Sequence, residues 1–205
     1  MSARRLVIFV KEPVPGRVKT RLGRDLGMTA SARWFRHQSG RLVAAMAGDA
    51  RWRTVLAVSP DRAGLESRVW PTHLSRWPQG SGDLGDRMGR VFRSFPPGPV
   101  VIVGADIPGI APPLVERAFR ALGDHDAVFG PAEDGGYWLV GLRRARATPP
   151  GFMQGVRWSS EHTLADTVAT LPADWRIATI DTLPDIDTLA DLRAHEGLAC
   201  PAPLV

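Results

Sequence analysis

The residues best suited to chemistry lie in loops rather than in the apolar runs. The stretch "KEPVPGRVKTRL" (11–22) follows "LVIFV" near the start of the chain. The sequence holds 26 Lys plus Arg, and only two are lysines, Lys11 and Lys19, both in this loop beside Arg17 and Arg21. A lysine head is a compact point charge, unlike the planar arginine fork, and suits a confined phosphate site. Gly16 permits close backbone approach, and backbone N–H groups together with lysine heads match phosphate oxygens. A solvated basic loop is the plainer alternative. The Walker A pattern is excluded: "Lys19-Thr20" supplies its final pair, but Pro13 and Val18 stand at its two glycine positions. A dinucleotide-binding G-x-G-x-x-G is absent from the loop as well.

Acidic residues complete the candidate set. Asp106 in "GADIPG" follows the run "VVIV". A carboxylate there can hold a divalent cation that bridges a diphosphate, or can form an Asx turn before Pro108. "EDGGYW" places Glu133 and Asp134 ahead of two glycines and of Tyr137, the only tyrosine; Asp-Gly is equally a strong turn dipeptide. "DIDTLADL" holds Asp185 and Asp187. Thr188 with Asp191 approximates a capping box, which leaves Asp187 as a metal ligand or as a helix cap. "PQGSGDLGDRM" (78–88), with Asp83, is a Gly-rich approach to a helix, able to present amides to a substrate or to serve as a flexible connection. The five histidines are scattered, and neither zinc-site nor Ser/His/Asp spacing is present.

Short runs of strand composition must position these loops: 5–10, 53–59, 99–104, 126–130, 136–142 and 175–180. The first and third are apolar at nearly every residue, as in strands buried on both faces of a parallel sheet. Helical spacing marks 29–48, with Thr29 as N-cap, then 83–95, 111–122, 159–171 with a Ser-rich cap, and 187–197 ending at Gly197. The alternation predicts a single α/β domain with a mostly parallel mixed sheet flanked by helices. "GPAEDGGYW" joins two strands without a helix, so it reads as a hairpin or as a strand leaving the main sheet. Ligands of such sheets sit outside the carboxyl ends of the strands, where the candidate loops fall.

The totals narrow the function further. A chain of 205 residues suits one domain. Its net charge of +5 is spread along the sequence without a basic arm, which favours an anionic small molecule over nucleic acid. One cysteine, Cys200, allows no intramolecular disulfide and lies in the tail "CPAPLV". No run approaches the ~18 apolar residues of a membrane span, and the opening apolar run is too short for a signal peptide. A cytoplasmic protein is expected.

"FVKEPVPGRVKTRL", "GDLGDRM", "GADIPG", "GPAEDGGYWLVGL", "VRWSS" and "DIDTLADL" together resemble a bacterial family of GT-A-fold glycosyltransferases, some of whose members are named for arsenosugar biosynthesis. The same motifs are similar to those of phospholactate and molybdopterin guanylyltransferases. The resemblance runs from about residue 5 to residue 195. It implies a nucleotide-diphospho-sugar transferase (GT-A-like) domain over 1–197, followed by a Pro-rich tail at 198–205. It further implies a nucleotide or nucleotide-sugar donor, a small-molecule acceptor and Mg²⁺ or Mn²⁺. Lys19 and Arg21 would then meet the phosphates, and Asp106 and Asp187 the metal; from the loop chemistry above, Lys11, Gly16 and Asp83 join the nucleotide contacts, and Asp134 would act as general base on the acceptor hydroxyl or orient it. "GADIPG" departs from the D-x-D of many glycosyltransferases, in the direction of the nucleotidyltransferases.

Overall fold

A computed structural model describes residues 3–199. Seven strands form one sheet: β1 (Arg5–Lys11), β2 (Arg53–Ser59), β3 (Ser75–Pro78), β4 (Val100–Gly104), β5 (Ala127–Pro131), β6 (Tyr137–Leu142) and β7 (Ile177–Thr179). The helices are α1 (Thr20–Leu26), α2 (Met28–Ala47), α3 (Asp61–Glu66), α4 (Leu84–Ser94), α5 (Pro112–Ala121), α6 (Thr163–Ala169) and α7 (Leu189–Ala199). The strand order is β3-β2-β1-β4-β6-β5-β7. β6 runs antiparallel to β4 and β5, and the remaining pairs are parallel. This is the mostly parallel mixed sheet expected from the alternation of elements. The reversal has a local cause: residues 132–136 are too few for a parallel crossover, so "AEDGG" closes a hairpin.

Alternating residues of the central strands feed two cores. Leu6, Ile8 and Val10 of β1, with Val101 and Val103 of β4, pack with Leu42 and Met46 of α2 and with Val115 and Phe119 of α5. Val7 and Ile102 point the other way, onto Met88, Val91 and Phe92 of α4. Apolar side chains on both faces explain why these strands read as continuous hydrophobic runs. Phe92 is 0% exposed, so its truncation to alanine should cost about 3 kcal/mol or more.

β1 lies between β2 and β4, so the chain leaves β1 toward one neighbour and the other neighbour is reached later. That arrangement opens a crevice outside the carboxyl ends of β1 and β4.

Several expectations need correction in detail. The last three residues of the 11–22 loop are helical: α1 begins at Thr20. Gly27, at φ 88°, ends α1 and caps α2, so that helix starts at Met28 and Thr29 lies inside it rather than capping it. Only glycine adopts that backbone without strain. Helix α6 begins at Thr163, because Ser160 and Thr163 spend their hydroxyls on the carbonyl of Arg157 and hold residues 157–163 as a turn. Helix α7 runs past Gly197 to Ala199. Cys200 and the rest of the expected tail lie outside the described residues. Among the described residues, no helix is long and apolar enough to cross a membrane.

Candidate active site

A cleft of about 740 Å³ opens at the carboxyl end of the sheet. It lies within the size range of small-molecule sites. β1 and its following loop contribute Lys11 and Lys19, the start of α1 contributes Arg21, and the turn after β4 contributes Asp106. The β5–β6 hairpin adds Asp134 and Tyr137, the start of α4 adds Asp83 and Arg87, and the segment before α7 adds Asp185 and Asp187. Residues distant in sequence thus meet where the topology predicts a ligand.

Lys19 is the hub. Its side chain is 5% exposed, and its Nζ lies 3.1 Å from Asp106 Oδ2, 3.1 Å from Asp185 Oδ1 and 3.0 Å from Asp187 Oδ1. Arg21 donates to the second oxygen of Asp187 at 2.9 Å. Burial by itself would lower the Lys19 pKa, but the carboxylates of Asp106, Asp185 and Asp187 more than reverse this, and the ammonium is held well above its ordinary value. Burial pushes Asp185 up, and its neighbours Asp106 and Asp187 add to that against the pull of Lys19. The backbone at Lys19 is left-handed, φ 43° and ψ 50°, at the N-cap of α1. A side chain rarely holds that conformation unless its surroundings enforce it.

Apolar packing brings the hub together. Leu22 of α1 is 0% exposed and packs with Ile186 and Leu192 on either side of the start of α7. Val18 docks on Ala32 and Phe35 of α2. These two contacts flank Lys19 and deliver its head to residues 185–187. The Thr188–Asp191 capping box forms: Thr188 N–H donates to Asp191 Oδ2, and Asp191 N–H donates to Thr188 Oγ1. Asp187 therefore does not cap the helix, and its carboxylate faces Lys19 and Arg21 instead.

The other expected residues have different settings. Lys11 is exposed at the end of β1 and lines the cleft. Gly16, at φ 77°, forms the loop's turn away from the cleft lining. Asp83 borders the cleft, but its carboxylate accepts from Asp86 N–H at 2.8 Å in a capping box. Asp134 Oδ1 accepts from Gly136 N–H at 2.9 Å, an Asx turn inside the hairpin. Gly135, at φ 85°, packs so closely on the backbone of Glu161 that a side chain would collide. Burial pushes the Tyr137 phenol up, and its oxygen accepts from Thr167 Oγ1 at 3.4 Å. That group stays protonated at neutral pH.

Sequence reasoning did not assign three groups that share the cleft. Asp185 was visible beside Asp187 but had no argument of its own. Arg87 was one arginine among many. Trp158 carries a buried Nε1 without a partner and lines the cleft beside Ser159, whose φ is 57°. Its signal was the "VRWSS" motif.

Divalent metal is compatible with this cluster. Three carboxylates converge within 3.1 Å of one cationic nitrogen, so the position already selects positive charge. Hard oxygen donors are the ligands of Mg²⁺ and Mn²⁺, and Mg²⁺ in particular takes one or two carboxylates and completes its shell with water and phosphate. Among the described residues, no three acidic, histidine or cysteine side chains surround a metal-sized point; the acidic oxygens surround the ammonium instead.

Solved structures share the fold that carries this cleft. A protein of Desulfovibrio desulfuricans G20, solved as a candidate nucleotide-diphospho-sugar transferase, superposes with a TM-score of 0.83 at 27% identity, over 99% of this chain and 90% of that one. The 4-diphosphocytidyl-2C-methyl-D-erythritol synthase of Anaerococcus prevotii matches with a TM-score of 0.60 at 9% identity, over 97% of each chain. Rv0371c of Mycobacterium tuberculosis H37Rv, solved in complex with manganese, matches with a TM-score of 0.54 at 15% identity, over 94% of this chain and 97% of that one. The first match gives this chain the fold of the nucleotide-diphospho-sugar transferases, and the latter two show likeness of fold alone. A comparison with curated proteins gives no significant match. The model of one bacterial family covers residues 42–160, more than half of the sequence, and the chain belongs to that family, described as "Uncharacterized protein conserved in bacteria (DUF2064)".

Proposed function

We propose that this protein is a metal-dependent transferase that takes its donor group from a nucleotide-activated sugar. One observation carries the reading: Lys19, Arg21, Asp106 and Asp187, from three separate segments, converge at the carboxyl end of β1 and β4. A cation-rich loop facing a carboxylate pair is what a metal-bound diphosphate requires. The likeness to the Desulfovibrio desulfuricans protein supports the donor class.

Asp106 and Asp187 would hold Mg²⁺ or Mn²⁺, with Asp185 supporting them. When bound, the metal supplies positive charge beside the diphosphate. Transfer breaks the bond between the sugar's anomeric carbon and the diphosphate oxygen. An acceptor hydroxyl forms the new bond to that carbon, and its proton must go to a base. Asp134 is suitably placed on the cleft wall: Oδ1 is engaged with Gly136 N–H, and Oδ2 accepts no hydrogen bond among the described residues. Lys19, Arg21 and Lys11 stabilise the negative charge that develops on the departing nucleoside diphosphate.

A second reading is nucleotidylyl transfer, in which a phosphorylated substrate attacks the α-phosphate of a nucleoside triphosphate and releases pyrophosphate. The single Asp106, where many glycosyltransferases carry D-x-D, favours it, and so does the fold shared with a cytidylyl-type enzyme. A thermal-shift screen of nucleotides and nucleotide sugars with Mg²⁺ and Mn²⁺ tests the common part, because specific ligands stabilise with the logarithm of concentration over Kd. Stabilisation by nucleotide sugars that disappears in Asp106→Asn supports the site. Unchanged binding in that variant makes Asp106 structural and defeats the reading. Release of pyrophosphate from a nucleoside triphosphate, in the presence of metal and a phosphorylated acceptor, selects the second reaction.

A further inference from the structure

The Lys19 ammonium and an incoming metal have to share oxygens. Asp187 has both of its oxygens engaged, Oδ1 by Lys19 and Oδ2 by Arg21. Asp185 Oδ1 accepts from Lys19 at 3.1 Å and from the Ile186 N–H at 2.6 Å. Asp106 meets the same ammonium through Oδ2. A cation bridging Asp106 and Asp187 must take an oxygen that Lys19 or Arg21 now holds. The ammonium is nearly buried at the centre of the cluster, so it also blocks the direct approach.

We infer that Lys19 and the divalent cation are alternative occupants of one carboxylate cluster, and that metal enters when a phosphate draws the Lys19 head away. Two further features fit this exchange. A lysine head sits on a flexible four-carbon stem with rotatable donors, whereas arginine would lock a carboxylate in a two-pronged grip. The left-handed backbone at Lys19 is flanked by the apolar contacts of Val18 and Leu22, so its head can change partner while its backbone stays packed. The phosphate side is ready, since Lys19 lines the cleft together with Lys11 and Arg21. The protein alone therefore carries its own cation, and metal and phosphate bind as a pair.

The inference rests on the reading of Asp106 and Asp187 as metal ligands. Mn²⁺ binding to the full chain, followed by water-proton relaxation, tests it. Lys19→Met should bind Mn²⁺ at least about 10-fold more tightly than wild type, a coupling of ordinary size between competing occupants. Adding Asp106→Asn to that variant should remove the gain. Should Lys19→Met not fold without metal, Lys19→Gln and a wild-type measurement decide. Wild type should bind Mn²⁺ about 10-fold or more tightly once inorganic pyrophosphate is present. Equal Mn²⁺ affinity in wild type and Lys19→Met, or a gain that survives Asp106→Asn, overturns the exchange. If nucleotide affinity still needs metal and Asp106 while Lys19→Met gains nothing, the exchange fails and the metal-site reading stands. Nucleotide affinity indifferent to metal overturns both.

Discussion

Two ion clusters flank β1, and each is the charge inverse of the other. At its start, one carboxylate, Glu116, is surrounded by three arginines: Arg4 at 2.8 Å, Arg120 at 3.0 Å and Arg51 at 3.9 Å. Beyond its end, one ammonium, Lys19, is surrounded by three aspartates. The Glu116 side chain is 11% exposed while its arginines are 30–76% exposed, so water solvates the surplus charge. Burial would raise the Glu116 pKa, but Arg120 and Arg4 hold it below its ordinary value. That cluster is complete as it stands. The Lys19 cluster carries surplus negative charge into a cleft, with Asp185 pushed up rather than down. The difference separates a clamp from a candidate site: one has every charge matched or hydrated, and the other sets three carboxylates against Lys19 and Arg21 at an open cleft.

The largest effect should come from removing the proposed metal ligand, Asp106. Asp106→Asn should cut turnover by about 100-fold or more, the scale of losing an electrostatic stabiliser, with little change in melting temperature. Turnover within a factor of two of wild type would erase the distinction between the clusters. Deleting each hub compares them directly by denaturant unfolding. Lys19→Met leaves three carboxylates facing one another and should cost about 2 kcal/mol, since the pairs are only partly buried. Its stability should recover toward low pH as the carboxylates take up protons. Glu116→Gln should cost only about 1 kcal/mol, because its arginines reach water.

The pH dependence has opposite signs at the two hubs. Glu116, lowered in the fold, contributes stability above its unfolded pKa and loses it as pH falls through the folded value. Glu116→Gln should therefore flatten the acid limb below about pH 4. Asp185, raised in the fold, contributes stability below its unfolded pKa and loses it as pH rises through the folded value. Asp185→Asn should then have the smallest effect of the series at pH 7, a change within about 1 kcal/mol and not in the destabilising direction. A marked loss of stability there would show that Asp185 is needed as an anion beside Lys19.

The parallel strands were legible because burial on both faces leaves runs such as "LVIFV" and "VVIVG" with no polar positions. The hairpin was legible as one of two options, because "AEDGG" is too short to cross the sheet. The helix starting at Thr20 was not, since its two helical turns carry Gly23 and begin on a left-handed lysine, so neither periodicity nor capping marks it. It exists because Leu22 finds Ile186 and Leu192, contacts 164 and 170 positions away. In the same way, "DLGDRM" displays Asp83 as a candidate ligand, and only the geometry shows its carboxylate spent on the capping box of α4.

By itself the sequence determined six of the seven strands, the helix-free connection between β5 and β6 and the loops in which Lys19, Asp106 and Asp187 would be found, because hydrophobic periodicity and turn chemistry are local properties. Only the tertiary structure decided that these three charges touch, that Asp185 joins them and that Lys19 is buried among carboxylates rather than reaching into open cleft. Those outcomes depend on how α1 and α7 pack across the whole length of the chain. Charge–charge contact is set by that packing, and no spacing along the chain encodes it.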